Sequence, residues 1–179
     1  HSDLRRQRQM CIRDRAKYLL NSISGSFHLV GLSMGGIIAM TVAIKDPSRV
    51  KSMVLMDTSP HSDSVRKQAV RDKQIETVNQ PSDLARIVAQ ELKPNYVHDR
   101  SSNEHVLKLC MKMAMDLGCE VFSNQCSALR NRKSLIDSLS FIDCKTLVLC
   151  GEHDKLCPVT VHEEIAVSYT HLRAHETEA

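Results

Sequence analysis

Two kinds of apolar pattern organise the chain. Short apolar runs, partly β-branched, predict strands over residues 27–30, 49–56 and 145–150. Residues 37–44 form an almost uninterrupted apolar stretch with the length and alanine content of a buried helix, which stops before Asp46-Pro47. We expect the first strand to be buried on both faces. A strand, a helix and a strand within about 30 residues predict parallel strands joined by a right-handed crossover.

Residues 61–140 have a different pattern. They are polar, their apolar positions recur at helical spacing, and no segment has the pattern of a strand. Ser82 can cap one helix, Ser101 can begin a second that ends at Gly118, and a third is expected from about residue 120. A shorter helix is predicted over 16–23 and another from about residue 159. A helical insertion between two strands is typical of a cap over the strand ends.

The junction between the first strand and the apolar helix reads Gly31-Leu32-Ser33-Met34-Gly35-Gly36. About four residues connect the two elements, so the central residue is expected to be strained, and Gly31 and Gly35 to remove clashes. Ser33 then lies near free N–H groups at the start of the helix. G-x-S-x-G in this context predicts a nucleophile elbow. The alternatives are an ordinary turn and a phosphate-binding loop, although no Gly-Lys-Ser/Thr follows.

The composition excludes several classes of function. The chain has 179 residues, 42% apolar and 25% charged, which is typical of one globular domain. Aromatic residues make up 3% with no Trp, which disfavours stacking on nucleic-acid bases. No apolar run approaches the roughly 20 residues of a membrane span, and no signal peptide is evident. The seven cysteines contain no C-x-x-C pair, which indicates thiols in a reducing, cytoplasmic compartment without a metal site.

The two ends of the chain differ from its body. Residues 1–15 hold five Arg and two Asp and account for the net charge of +3. This segment fits a basic nucleic-acid arm. We prefer another interpretation, because residues 1–15 and 167–179 both resemble translated sequencing adapters, and such ends are left out of fold reasoning. The remaining body is nearly neutral, so charge gives no reason to expect a nucleic-acid or membrane partner.

Three sequence blocks carry a resemblance to a known family. In chain order they read HLVGLSMGG, DPSRVKSMVLMDTSP and LSFIDCKTLVLCGEHDKLCPV. Together they resemble the α/β-hydrolase superfamily, in particular single-domain esterases, enol-lactonases and C–C hydrolases with a helical cap. The resemblance implies an α/β fold with a mostly parallel sheet, helices on both faces and a cap insertion. It places the hydrolase core at 16–60 and 141–166 and the cap at 61–140, as an internal fragment between the adapter-like ends.

The same resemblance implies a set of site residues. Ser33 is the expected nucleophile, and the backbone N–H of Met34 is one donor of the oxyanion hole. The second donor is expected before residue 16. The pattern G-x-x-D-x-x-x-P assigns the acid to Asp154. Asp57, at the end of the strand after the elbow, is the alternative acid.

The triad histidine is the departure from the family pattern. It is expected roughly 24–28 residues after Asp154, beyond one more helix and strand. His171 and His175 come too early and lie in the adapter-like tail, so no triad histidine is identified. We expect His28 to be buried and structural and His153 to pack beside the acid. Four others are expected on the surface or the cap: His61, His98, His105 and His162.

The resemblance implies a serine hydrolase that needs neither cofactor nor metal. Its expected partner is a small ester, lactone or related carbonyl substrate. Two alternatives stay open: a non-catalytic binding protein that keeps the pocket and lacks the base, and an acyltransferase that uses Ser33.

Overall fold

A computed structural model describes residues 11–99 and 101–168, which form two compact units. The sheet unit comprises Ile12–His61, Lys133–Glu152 and the chain from Cys157. The helical unit comprises Ser62–Arg132 and His153–Leu156. Each unit has its own group of buried apolar residues.

The strands of the sheet unit are β1 (Phe27–Leu32), β2 (Val50–Met56) and β3 (Lys145–Leu149). They are parallel and ordered β1-β2-β3, as the βαβ pattern predicts for the first two. Leu32 pairs with Met56, and Met56 pairs with Leu149. The three strands therefore end at one level, and the residues that follow them emerge at the same edge of the sheet.

The α-helices of the described residues are, in chain order, α1 (Ile12–Ser22), α2 (Met34–Lys45), α3 (Val65–Thr77), α4 (Pro81–Ile87), α5 (Glu104–Arg130) and α6 (Val159–Ser168). Helix α1 begins within the segment that we expected to be adapter-like, and the side chain of Ile12 is buried. None of these helices is long and apolar enough to cross a membrane.

The core of the sheet unit lies between the sheet and its helices. Helix α2 is apolar on nearly all sides, which explains why seven of its residues are buried. Buried side chains from α2, β2 and α6 meet there with a short 3-10 helix at Ile136–Phe141. The largest of them are Met40, Val42, Met53, Leu55, Leu139 and Ile165.

The expectation that β1 is buried on both faces is wrong. Side chains alternate across a strand, and Val30 and Leu32 are 69% and 58% exposed. Leu29, on the other face, packs against the core. The exposed row continues into β3, because Val30 pairs with Val54 and Val54 pairs with Leu147, which is also exposed. Apolar content predicted the strand, but it did not show which of its faces is covered.

The helical unit contains helices and short turns and, among its described residues, no strand. Gly118 interrupts α5 with φ 81° and ψ 175°, so the predicted end of a helix at this glycine is confirmed. The helix starts differ from prediction. Helix α4 begins after Gln80, which forms a capping box with Asp83, and α5 begins after Asn103.

The helical unit contains a buried cluster of charges and ion pairs on its surface. The side chain of Asp63 is 1% exposed, accepts a hydrogen bond from Arg71 Nε, and lies 3.1 Å from Arg132 Nη2 in a charge contact without hydrogen-bond geometry. Asp63 and Arg132 lie at opposite ends of the segment Ser62–Arg132. On the surface, Asp72 accepts two hydrogen bonds from Arg130, at 2.6 and 3.0 Å.

Candidate active site

Ser33 is the residue that directly follows β1, and its backbone is strained. Its φ of 51° and ψ of −115° fall in a region that residues with a side chain rarely adopt. The residue is exposed, and its hydroxyl makes no capping bond to α2. The elbow that the sequence predicts is therefore present as geometry, with an exposed hydroxyl at the edge where the strands end.

Hydrogen bonds on both sides hold the backbone of Ser33. Its N–H donates to the carbonyl oxygen of Met56 at 2.9 Å, which extends the pairing of β1 with β2. Its carbonyl oxygen accepts from the N–H of Gly36 at 3.0 Å and from the hydroxyl of Thr58 at 2.7 Å. The strained conformation is thus tied to both neighbouring segments.

Two glycines make this close approach feasible. A Cβ on Gly31 would lie 2.5 Å from the carbonyl oxygen of Gly35, so the predicted need for Gly31 is confirmed. The same expectation for Gly35 is wrong, because a Cβ there would meet nothing within 4 Å. Gly36 takes that role, since its Cβ would lie 2.6 Å from Thr58 Oγ1. That contact spans 22 residues of sequence, and a local pattern cannot reveal it.

Met34 is the first residue of α2. The N–H groups in the first turn of a helix have no acceptor within the helix, and the helix dipole favours negative charge beside them. The Met34 amide therefore has the chemistry of an oxyanion donor. Its role there stays a prediction.

Asp57 directly follows β2 and also has a positive φ, of 43°. Its N–H donates to the carbonyl oxygen of Leu149 at 3.1 Å, and its Oδ1 accepts from the N–H of Gly151 at 3.0 Å. Asp57 therefore connects the ends of β2 and β3. The structure brings Ser33, Met34 and Asp57 to the same edge of the sheet.

Asp154 belongs to the helical unit, whereas Ser33 belongs to the sheet unit. Asp154 Oδ1 accepts from the N–H of Leu156 at 2.7 Å, which shapes the loop around it. The neighbouring His153 ring packs on that of His98, with 3.9 Å between the ring centroids. The pairing of Asp154 with Ser33 stays a prediction.

Comparison with known proteins identifies the family. A sequence model described as the α/β hydrolase fold matches residues 19–109, just over half of the chain, and the match includes the elbow. This chain belongs to the α/β-hydrolase fold family. Among proteins with curated functions, none is significantly similar to it in sequence.

Solved structures agree with an α/β-hydrolase fold. A thermophilic esterase from Thermogutta terrifontis is 24% identical with a TM-score of 0.78, and the match covers 90% of this chain and 61% of the esterase. The enol-lactonase from Burkholderia xenovorans LB400 is 18% identical with a TM-score of 0.79, and the match covers 90% of this chain and 62% of the lactonase. An esterase from Exiguobacterium antarcticum is 21% identical with a TM-score of 0.67, and the match covers 88% of this chain and 60% of the esterase. At such identities the likeness shows the fold alone, and the chain spans about three fifths of each neighbour.

The histidines of this α/β-hydrolase chain are placed partly against expectation. His171 and His175 lie outside the described residues. His28 is exposed on β1 with its Nδ1 2.7 Å from Ser52 Oγ, so the prediction that it is buried is wrong. His98, His105 and His153 are exposed, and His61 is half-buried. Within residues 11–99 and 101–168, no group of three or more His, Cys, Asp or Glu could hold a metal ion.

His162 is placed differently from the prediction. We predicted a surface or cap position, but its side chain is 4% exposed and makes two polar contacts. The helical spacing could have predicted this burial. His162 precedes the fully buried Ile165 by three residues on α6, so both lie on the same inward face of the helix.

Proposed function

We propose that the whole protein is a serine hydrolase that acts on a small ester, lactone or related carbonyl compound through an acyl-enzyme on Ser33. The observation that carries this proposal is the backbone of Ser33, strained at φ 51° directly between β1 and α2. Strain of this kind persists where the surroundings impose it, and it clusters at active sites. Membership of the α/β-hydrolase family and esterase and enol-lactonase neighbours support hydrolysis.

The proposed chemistry uses each part of the elbow. The hydroxyl oxygen of Ser33 attacks the substrate carbonyl carbon while its proton passes to a histidine base. The negative charge on the substrate oxygen is stabilised by the N–H of Met34 at the start of α2. The intermediate then expels the alcohol, which takes the proton from the histidine. Water, deprotonated by the same base, attacks the acyl carbon. The bond to the Ser33 oxygen then breaks, the histidine returns the proton to that oxygen, and the acid is released.

We propose Asp154 as the acid that orients this base. The family pattern G-x-x-D-x-x-x-P supports it, with Gly151 and Pro158 in the matching positions. Asp57 is less suited to this role, because its Oδ1 already accepts a hydrogen bond from the N–H of Gly151. We propose the histidine in a loop that follows one more helix and strand after Asp154.

A fluorophosphonate probe tests the nucleophile directly, because it reacts with an activated serine whatever the natural substrate is. We expect the whole protein to be labelled and Ser33→Ala to abolish labelling. Ser48→Ala is the matched control, since Ser48 is also exposed and lies in the short 3-10 helix after α2. Labelling that survives Ser33→Ala contradicts the proposal.

The same assay separates the alternative functions. A whole protein that folds and takes no label fits a non-catalytic binding protein. For a labelled protein, product analysis with an ester and an added alcohol distinguishes hydrolysis from acyl transfer.

A further inference from the structure

A chain of hydrogen bonds runs from the elbow through two buried residues, Thr58 and His162, into α6. Thr58 is 0% exposed, and its hydroxyl donates to the carbonyl oxygen of Ser33 at 2.7 Å. The backbone N–H of Thr58 donates to His162 Nε2 at 3.1 Å. The other ring nitrogen, Nδ1, lies 3.2 Å from the carbonyl oxygen of Pro158. All four residues belong to the sheet unit.

These contacts determine which nitrogen of the His162 ring carries the proton. Nε2 accepts a hydrogen bond from an N–H group, so it carries no proton. Nδ1 faces a carbonyl oxygen, so it carries the proton and donates a hydrogen bond to that oxygen. Only the neutral ring with its proton on Nδ1 satisfies both partners of His162. A buried polar group that loses its partner is costly, and the arrangement is therefore specific.

We propose that Thr58 and His162 are positioning residues that hold Ser33 in its strained conformation. The inference rests on the proposed function of Ser33 as the nucleophile. Neither residue is assigned a contact with substrate. Thr58 acts through the Ser33 carbonyl, and His162 acts through the Thr58 amide.

The geometry favours positioning over simple packing. Within α2, the carbonyl of Ser33 accepts from the N–H groups of Gly36 and Ile37 at 3.0 and 3.3 Å. The Thr58 hydroxyl adds a bond from the loop after β2, and it opposes rotation of that peptide toward an unstrained conformation. Gly36 lets Thr58 come this close, because any Cβ on Gly36 would overlap the Thr58 side chain.

The test at position 58 compares labelling rates of Ser33 by the fluorophosphonate probe in the whole protein. Thr58→Val keeps the shape and removes the hydroxyl, and we expect it to slow labelling roughly tenfold. Thr58→Ser keeps the hydroxyl and should restore most of the rate. Thr41→Val is the matched control, because the buried Thr41 hydroxyl donates to a carbonyl within its own helix, that of Ile37 at 2.7 Å.

The test at position 162 follows the same logic. His162→Phe fills the space without an acceptor and should slow labelling. In His162→Gln the amide oxygen can accept from Thr58 and the amide nitrogen can donate to Pro158, so the rate should partly recover. His61→Phe is the control, since the His61 side chain is 42% exposed and its Nε2 lies 2.6 Å from Glu164 Oε2, also on α6.

Nitrogen-15 NMR and amide hydrogen exchange test the inference without catalysis. We expect a single Nδ1–H tautomer for His162, and faster exchange of the Gly36 and Ile37 amides in Thr58→Val than in Thr41→Val. If the wild-type protein takes no label, the proposed function fails while these readouts still test positioning. Equal labelling rates and equal exchange in Thr58→Val and Thr41→Val would overturn the inference, as would the Nε2–H tautomer.

Discussion

The sheet unit and the helical unit are stabilised in different ways. The core of the sheet unit is a group of fully apolar buried residues drawn from helices and strands. The corresponding buried cluster of the helical unit is smaller, with Val78, Leu84, Ile87 and Val88. The helical unit adds charge to this packing, with a buried aspartate between two arginines and a further pair between α3 and α5.

The difference predicts which substitutions and solution conditions should destabilise each unit. Shape and directional hydrogen bonds hold the elbow, so an added methyl group or a lost hydroxyl should matter more there than salt or acid. The helical unit buries the charge of Asp63 between two arginines, so loss of a charge should matter more there. Exposed pairs are screened by salt, whereas buried ones are screened much less.

The largest expected effect concerns the two candidate acids, one in each unit. In the whole protein, Asp154→Asn should lower turnover on the order of 10⁴-fold, because the base loses the carboxylate that selects its tautomer. Asp57→Asn should cost far less, since an amide oxygen can still accept from the N–H of Gly151. Turnover of a p-nitrophenyl ester measures both. If Asp57→Asn is the crippling change, the acid is assigned to the wrong residue.

The next effect concerns the buried charge of the helical unit. Asp63→Asn removes the buried negative charge that faces Arg71 and Arg132, and the Arg132 side chain is itself 9% exposed. Removing one partner of a buried ion pair typically costs about 3–5 kcal/mol of the free energy of unfolding. Urea denaturation measures this loss. A midpoint no lower than that of a surface variant such as Asp72→Asn would show that Asp63 does not hold this unit.

A third prediction concerns shape at the elbow. Gly31→Ala puts a Cβ against backbone atoms of Gly35 and Gly36 at about 2.5 Å, and it should destabilise by roughly 1–3 kcal/mol and suppress labelling of Ser33. Gly35→Ala is the matched control, because it has open space and replaces a helical glycine. We expect it to be neutral or stabilising by up to about 1 kcal/mol. Equal losses in the two variants would contradict the role assigned to Gly31.

The features that the sequence predicted are those with a local cause. The strand before Ser33, the helix after it and the parallel partner strand follow from apolar periodicity and from short connections, and the structure has all three. The end of a helix at Gly118 follows from the freedom of glycine to adopt positive φ. The G-x-S-x-G pattern between strand and helix singled out Ser33, and the family resemblance added the candidate acids. The roles of these residues stay predictions.

The features that the sequence did not predict depend on contacts between distant segments. Gly36 is required because Thr58 approaches it from another loop, and His162 is buried because α6 turns it toward that same loop. Asp63 and Arg132 are 69 positions apart and meet only in the fold. No periodicity within one segment encodes such pairs, so a single sequence cannot supply them.

The smallest expected effect separates charge from neutral hydrogen bonds at the surface of the helical unit. Hydrogen bonds from Arg130 lower the pKa of Asp72 below its ordinary 3.8, and the hydroxyls of Ser102 and Ser101 lower that of Asp99 to about 2. Because folding lowers the pKa of each carboxyl group, its ionised form stabilises the fold above pH 3.8. This stabilisation is lost as the pH falls through the pKa of the folded state.

Asp72→Asn and Asp99→Asn should therefore each lower the melting temperature slightly at neutral pH, and the difference from wild type should shrink in acid. Salt distinguishes the two. Screening weakens the Asp72–Arg130 pair, so the effect of Asp72→Asn should also shrink at high ionic strength. The effect of Asp99→Asn should persist there, because its partners are uncharged hydroxyls. Thermal unfolding at two salt concentrations measures this, and an equal salt response of the two variants would show that the Asp72–Arg130 contact contributes no more as a charge pair than as an ordinary hydrogen bond.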